Sequence, residues 1–333
     1  MQNSVPLSGS PEAPALPAFL QKRVPKALCF FLMLFLAVSF AVVDLTLTET
    51  PLWVSSVLEV GLLLLPCAAV LLFSRSRLPL APISAKRLLF VTGMGVTGYG
   101  FTLMLNSSWA LLWSFILGTD TTEAAQHTAE QIQSAPLWLL ILVIAVTPAI
   151  CEELFFRGLL MKSYSAAPAA ALCMSSALFS LLHYDVLRLF PTFYLGMFFG
   201  WVVMRTGNLT AGMILHFLNN TFSVVAMKFS YTFLERFGSE IDYDTLQQIL
   251  EGNPKLTMQL LSAELILLAL ILLAVPLFIL LLIHFIRDTR EDAQRIHLAA
   301  LNVIEKPKKL YSILFIILAA VMLCMAFVIQ NTM

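Results

Sequence analysis

Residues 136–157 read PLWLLILVIAVTPAICEELFFR, an apolar run that ends in two adjacent glutamates and an arginine. The run is long enough to cross a hydrocarbon core of about 30 Å as a helix. A charged side chain at the centre of a membrane helix costs about 2.5–3.5 kcal/mol on insertion scales. We therefore expect a membrane helix whose Glu152, Glu153 and Arg157 are paired or used inside a protein-lined cavity.

The composition of the whole chain is that of a membrane protein. Of its 333 residues, 59% are hydrophobic and 12% are charged, and the mean hydropathy is +0.87. Soluble domains have about 45–50% apolar and about 25% charged residues. We predict an all-α, polytopic bundle of eight or nine membrane helices in a lipid bilayer. The predicted spans are 27–47, 52–73, 88–117, 137–156, 169–183, 189–204, 209–227, 260–286 and 310–329.

The distribution of charge predicts the orientation of this bundle. If the N-terminus is cytoplasmic, sixteen of the 20 Lys and Arg residues lie in inner segments, and the outer loop 118–135 has none. This is the positive-inside bias of integral membrane proteins. We expect a multi-pass protein of the plasma (inner) membrane with a cytoplasmic N-terminus. The formal net charge of zero gives no electrostatic footprint for nucleic acid.

Two regions can be distinguished by composition. Residues 1–26 begin with a Pro- and Ser-rich stretch that predicts a disordered cytoplasmic tail. Residues 27–333 predict one polytopic membrane domain. Its polar residues with catalytic potential are concentrated between 147 and 222.

The adjacent glutamates are expected to have different roles. Glu153 and Arg157 are four residues apart, so they can form an ion pair on one face of a helix. Glu152 is rotated by about 100° from Glu153, and the pairing leaves it without a partner. We interpret Glu153 and Arg157 as a supporting pair with a mainly structural role, and Glu152 as the carboxylate available for catalysis.

Two histidines and an asparagine lie within reach of Glu152. Glu152 and His183 are each roughly 20 Å along the helix axis from the turn that joins the fourth and fifth spans, so they can be level on facing helices. His216 has a shallower nominal depth of about 12 Å, and Asn220 follows it by one turn on the same face. The spacing permits these four residues to converge if helix tilt absorbs the difference in depth.

These residue types favour hydrolysis. A carboxylate and a histidine around one water form a general base, and a histidine with an asparagine can donate hydrogen bonds to an oxyanion. Glu152, His183 and His216 are also a His₂Glu set of the kind that binds catalytic zinc, so a divalent metal remains an alternative. The sequence contains no His-Glu-x-x-His, Gly-x-Ser-x-Gly or Walker motif. Peptide-bond hydrolysis inside the membrane fits these groups best.

Three motifs of the chain resemble those of the CPBP family, which includes type II CAAX prenyl endopeptidases, bacteriocin-processing enzymes and Abi-like proteins. Glu-Glu-x-x-x-Arg is found at 152–157, Phe-x-x-x-His at 179–183, and His-x-x-x-Asn at 216–220. The resemblance implies a catalytic core at about 137–228 and a peptide or membrane-protein substrate.

The same resemblance implies a role for each site residue. Glu152 and His183 would activate the water, whereas His216 and Asn220 would stabilise the oxyanion.

Two other classes of function fit the sequence less well. A catalytically silent scaffold that binds partner proteins is disfavoured because all four site residues are present. A proton-coupled transporter with a Glu and His relay would be expected to show inverted repeats or paired broken helices, and the sequence shows neither. His216 and Asn220 could also serve only as hydrogen bonds between helices.

Several other residues in the apolar segments are expected to be structural. Asp44, Glu59 and Glu264 occur singly, which favours interhelical or snorkelled positions over catalysis. Pro148, four residues before Glu152, is expected to kink its helix and to free a backbone carbonyl near the site.

Overall fold

The computed structural model describes residues 24–46, 52–75, 78–117, 132–163, 168–237, 254–301 and 309–332. These residues form helices and, within the ranges given, no strand. The main helices are α1 (Lys26–Thr46), α2 (52–73), α3 (Ala85–Leu117), α4 (137–163), α5 (Pro168–Leu181), α6 (Leu189–Thr206), α7 (Leu209–Phe237), α8 (Pro254–Asp288), α9 (Arg290–Leu301) and α10 (Lys309–Thr332). The predicted tail, residues 1–26, lies almost wholly outside the described residues.

The prediction of an all-α polytopic bundle is confirmed. Within the described residues, seven helices are long and apolar enough to cross a membrane, and the bent pair α8–α9 would make eight. Only 22–56% of the residues in the apolar windows of the seven helices are buried inside the protein, so much of their surface is left to face lipid. The chain is therefore an integral, multi-pass membrane protein.

One of the nine predicted spans is shorter than expected. The sequence predicted a fifth span over 169–183, but α5 ends at Leu181 after 14 residues. At a rise of about 1.5 Å per residue this helix is only about 21 Å long, less than a typical hydrocarbon core. His183 consequently lies in the turn after α5, where it is half-buried.

A tight turn fixes α6 against α7, which carries His216 and Asn220. Gly207 adopts the left-handed conformation (φ +60°) and ends α6, as glycine commonly does after a helix. The side chain of Asn208 then accepts a hydrogen bond from the Thr210 amide at 3.0 Å, which caps the start of α7. The same asparagine donates to the Ala81 carbonyl at 2.9 Å and ties this turn to the segment before α3.

Polar contacts join several helix ends at one end of the bundle. Lys86 and Arg87 at the start of α3 pair with Asp288 at the end of α8, at 2.7 and 3.0 Å. Arg205 near the end of α6 donates to the Thr289 hydroxyl at 2.9 Å and to the Ile286 carbonyl at 2.8 Å. These contacts join the start of α3 to the ends of α6 and α8, so α3 runs antiparallel to both.

Candidate active site

Four charged or ionisable side chains form a continuous chain between α4 and α7. Arg157 Nη1 lies 2.9 Å from Glu153 Oε1, and the same oxygen lies 3.2 Å from His216 Nδ1. On the other side of the imidazole, Nε2 lies 3.6 Å from Glu152 Oε2. Arg157 and Glu153 have no exposed surface, and His216 and Glu152 are 3% and 8% exposed. The predicted ion pair of Glu153 with Arg157 is confirmed.

The ring of His216 lies between the two adjacent glutamates. The rotation of about 100° per residue predicted that Glu152 would face away from Glu153. The carboxylates do diverge, but the imidazole reaches both of them through its two opposite nitrogens. Glu153 is thus more than the structural partner of Arg157, because it also holds His216.

Helix α4 is irregular on both sides of the glutamates. A short α-helical segment, Thr147–Glu153, lies between two π-helical segments, Ile141–Val146 and Leu154–Leu160. Such π-helical turns occur frequently at functional sites. The adjacent part of α2 also contains a π-helical segment, Val60–Leu64.

The buried arginine is held by α6 and by an aromatic ring. Its Nη2 donates to the Gly196 carbonyl at 2.9 Å, and its guanidinium carbon lies 4.7 Å from the centre of the Phe179 ring. The carboxylate of Glu153 fits against α7 because Gly212 has no side chain: a Cβ there would lie 2.8 Å from Glu153 Oε2. Close helix packing therefore fixes the position of the Glu153 carboxylate.

Phe179 stands between the two histidines. Its ring makes edge contacts with His183 and His216, at centroid distances of 5.2 and 5.9 Å. His183 Nδ1 lies 2.9 Å from the Phe179 carbonyl, which can only accept a hydrogen bond. Nδ1 therefore carries the hydrogen, and in the neutral ring Nε2 remains an acceptor.

Glu152 and His183 are not directly joined. In the described part of the chain, Glu152 has an ion-pair contact with His216 but neither a hydrogen bond nor an ion pair with His183. The sequence predicted that Glu152 and His183 lie at the same depth and that His216 lies at a shallower depth. Helix packing instead brings His216 to Glu152.

Asn220 donates a hydrogen bond to a backbone carbonyl of α4. Its Nδ2 donates to the Ile144 carbonyl at 2.8 Å, and its Oδ1 accepts from Asn219 at 3.3 Å. Ile144 lies in the π-helical segment Ile141–Val146, which directly precedes Thr147 and Pro148. A carbonyl close to Pro148 is thus bound by a site side chain, but the π-helical pattern does not identify it as the one that the missing proline N–H frees. Within the described ranges, the second N–H of the amide has no partner and can donate to a ligand.

The possible metal ligands Glu152, His183 and His216 are not gathered around one point. Among the described residues, no group of three or more His, Cys, Asp or Glu side chains is close enough to hold a metal ion. Glu152, His183 and His216 therefore do not form a His₂Glu set in this conformation.

Glu59, which the sequence predicted to be structural, is a neighbour of the site. It lies on α2 immediately before the π-helical segment and interacts electrostatically with Glu152. Its Oε2 is buried and has no hydrogen-bond partner within the described residues. The sequence did not predict that Glu59 lies near Glu152, because the spacing of residues along one helix does not show how α2 packs on α4.

Comparison with known proteins connects this site to one family. Residues 134–222 match the family described as type II CAAX prenyl endopeptidase Rce1-like, and this segment contains all four predicted site residues. Comparison of the chain with curated proteins and with solved structures found no match. The match confirms the resemblance inferred from the three motifs: within this multi-pass helical membrane protein, segment 134–222 is similar to the type II CAAX prenyl endopeptidases of the Rce1-like family.

Proposed function

We propose that this protein is an intramembrane endopeptidase that hydrolyses a peptide bond in a peptide or membrane-protein substrate. The observation that carries the proposal is the buried chain Arg157–Glu153–His216–Glu152, which lies inside the segment that matches an endopeptidase family. A buried carboxylate with an oriented histidine suits acid–base chemistry. The substrate is expected to enter from the cytoplasmic side.

Glu152 acts as the general base in this proposal. A water hydrogen-bonded to Glu152 and to Nε2 of His183 attacks the carbonyl carbon of the scissile bond, and Glu152 takes the proton. The tetrahedral oxyanion then collapses, the C–N bond breaks, and the proton passes from Glu152 to the departing amine. The products are one new carboxyl group and one new amino group.

His216 and Asn220 stabilise the oxyanion, with His216 as the imidazolium that donates through Nδ1 to Glu153 and through Nε2 to the oxyanion. Donors fixed before the reaction stabilise developing charge without reorganisation, and removing one such donor typically costs about 10²–10³-fold in rate. Glu153 positions the His216 ring through Nδ1, and the Ile144 carbonyl positions the Asn220 amide. Two groups of α4, the Glu153 side chain and the Ile144 carbonyl, thus hold the two donors.

Comparing membrane and secreted peptides from cells with the wild-type protein and with the Glu152→Gln variant tests the proposed function. We expect peptides with new termini to be present only with the wild-type protein, and their uncut precursors to accumulate with the variant. Equal protein levels on a membrane blot are the control. Identical peptide profiles would contradict the proposal.

We also propose that the N-terminus is cytoplasmic and that the protein lies in the plasma (inner) membrane. Lys86, Arg87 and Arg205 are gathered at one end of the bundle, which supports a single cation-rich face. A reporter fused after Ala135 is then expected to register as external, and one fused after Lys309 as cytoplasmic. The opposite pattern would overturn both the orientation and the proposed side of substrate entry.

A further inference from the structure

The turn that carries His183 has an unusual backbone. It follows α5 at residues 182–185, where the Tyr184 amide donates to the Leu181 carbonyl at 3.2 Å. Tyr184 has a φ of +48°, in the left-handed region that a bulky side chain rarely adopts. Such strained residues persist only where the surrounding structure holds them, and they are concentrated at functional sites. Glycine would form this turn with less strain, so we expect the tyrosine side chain to have a role of its own.

The Tyr184 side chain anchors the turn to α1. Its hydroxyl donates to the Ala37 carbonyl at 2.7 Å, and the two residues are buried, with 3% and 4% of their surfaces exposed. A buried hydroxyl is costly to leave without a partner, so this hydrogen bond holds the turn at a fixed distance from α1. Ala37 lies outside residues 134–222, and the family match therefore assigns no role to this contact.

A second anchor lies three residues after His183. Nε1 of Trp109, on α3, donates to the Val186 carbonyl at 2.9 Å. Between the two anchors, the Asp185 side chain accepts from the Leu187 amide at 2.8 Å and caps a short 3₁₀-helix. The turn is therefore tied both to α1 and to α3.

These anchors determine where the His183 ring can lie. His183 directly precedes Tyr184, and its Nδ1 donates to the Phe179 carbonyl at 2.9 Å, which leaves Nε2 as an acceptor. The His183 residue is only half-buried, so contacts around its ring hold it less firmly than they would hold a core residue. The position of the ring consequently depends on the backbone of the turn.

We propose that Tyr184 is a positioning residue for His183: by tying the turn to α1, its hydroxyl keeps the His183 ring in the Nδ1–H form with Nε2 directed at the attacking water. The proposal rests on the proposed endopeptidase function, in which His183 and Glu152 hold that water. Tyr184 acts through His183 and needs no contact with the substrate.

Tyr184→Phe removes the hydroxyl and keeps the ring. For full-length protein in detergent, we expect kcat per folded molecule to fall by about tenfold or more, because small displacements of a catalytic group are costly. KM should stay within about twofold of wild type, because His183 holds the water and not the substrate. An unchanged kcat in folded Tyr184→Phe, or a loss that appears in KM alone, would overturn the proposal.

Ser175→Ala is the matched control. Ser175 also carries a fully buried hydroxyl, which donates to the Leu172 carbonyl within α5 at 3.2 Å and does not tie the turn to another helix. Its removal is expected to leave kcat and KM unchanged.

Tyr184→Gly separates the anchor from the backbone conformation. Glycine adopts the left-handed region without strain, so the turn can persist while the ring and the hydroxyl are both lost. We expect kcat to be at least as low as in Tyr184→Phe. A wild-type kcat would show that the turn alone holds His183 and would contradict the proposal. Tyr184→Phe carries the test if the glycine variant does not fold.

A further measurement does not depend on cleavage. Solid-state NMR of lipid-reconstituted protein with isotope-labelled histidine shows which ring nitrogen carries the hydrogen, and the signal that disappears in His183→Gln belongs to His183. We expect the Nδ1–H form in the wild type and in Ser175→Ala, and a mixture of forms in Tyr184→Phe. An identical His183 signal in the wild type and Tyr184→Phe would overturn the positioning role. A changed signal, in a protein whose wild type cleaves no peptide, would support the positioning role and overturn the endopeptidase function.

Discussion

Replacing Glu152 by glutamine is expected to lower the rate of peptide hydrolysis by at least about 100-fold, since general-base catalysis typically contributes about 10²–10⁴-fold. Glutamine has nearly the same shape as glutamate but cannot take a proton from water. The fold should persist, because the Glu153–Arg157 pair is untouched. Measuring kcat and the melting temperature of detergent-purified protein checks both expectations.

Glu291→Gln provides the control for this loss of activity. Glu291 lies on α9, its side chain is 85% exposed, and its distance to Arg295 is 3.8 Å. Removing this carboxylate is expected to change neither activity nor melting temperature, since exposed ion pairs contribute little. Full activity in Glu152→Gln would show that another group takes the proton from water.

The sequence predicted features that depend on one helix at a time. The predicted membrane segments correspond to helices, and the spacing of Glu153 and Arg157 correctly predicted their ion pair. These two predictions succeeded because hydropathy and helical periodicity act locally. The effect expected of Pro148 stays a prediction: Asn220 binds the nearby Ile144 carbonyl, which lies in a π-helical segment.

Features that depend on how helices pack were not predictable. The sequence treated Glu153 as a partner for Arg157 alone and Glu59 as an isolated acid. Glu153 lies next to His216, and Glu59 lies near Glu152, because of the way α2, α4 and α7 pack against one another. The nominal depth calculation assumed straight α-helices, whereas α4 contains two π-helical segments and α5 ends early. Distances along a helix axis therefore could not identify the contact between Glu152 and His216.

The largest effect on stability is expected for Arg157→Ala. Removing one partner of a buried ion pair typically costs about 3–5 kcal/mol, because the remaining charge is left uncompensated. Glu153 would lose its fully buried cation, and the contacts of the guanidinium with the Gly196 carbonyl and the Phe179 ring would be lost as well. A much lower melting temperature and a lower protein level in membranes are the expected results. Arg295→Ala, at an exposed position on α9, should change neither.

The double variant Glu153→Leu/Arg157→Met separates stability from catalysis. Replacing both members of a buried pair by apolar residues is often neutral or stabilising, so the melting temperature should recover most of the loss seen in Arg157→Ala. Activity should stay low, because His216 Nδ1 would no longer have the Glu153 oxygen that holds its ring. If activity returned together with stability, Glu153 would be a structural partner of Arg157 and not a positioning residue for His216. If the melting temperature stayed low, the cost of Arg157→Ala would come from lost packing against Phe179 and not from the stranded carboxylate.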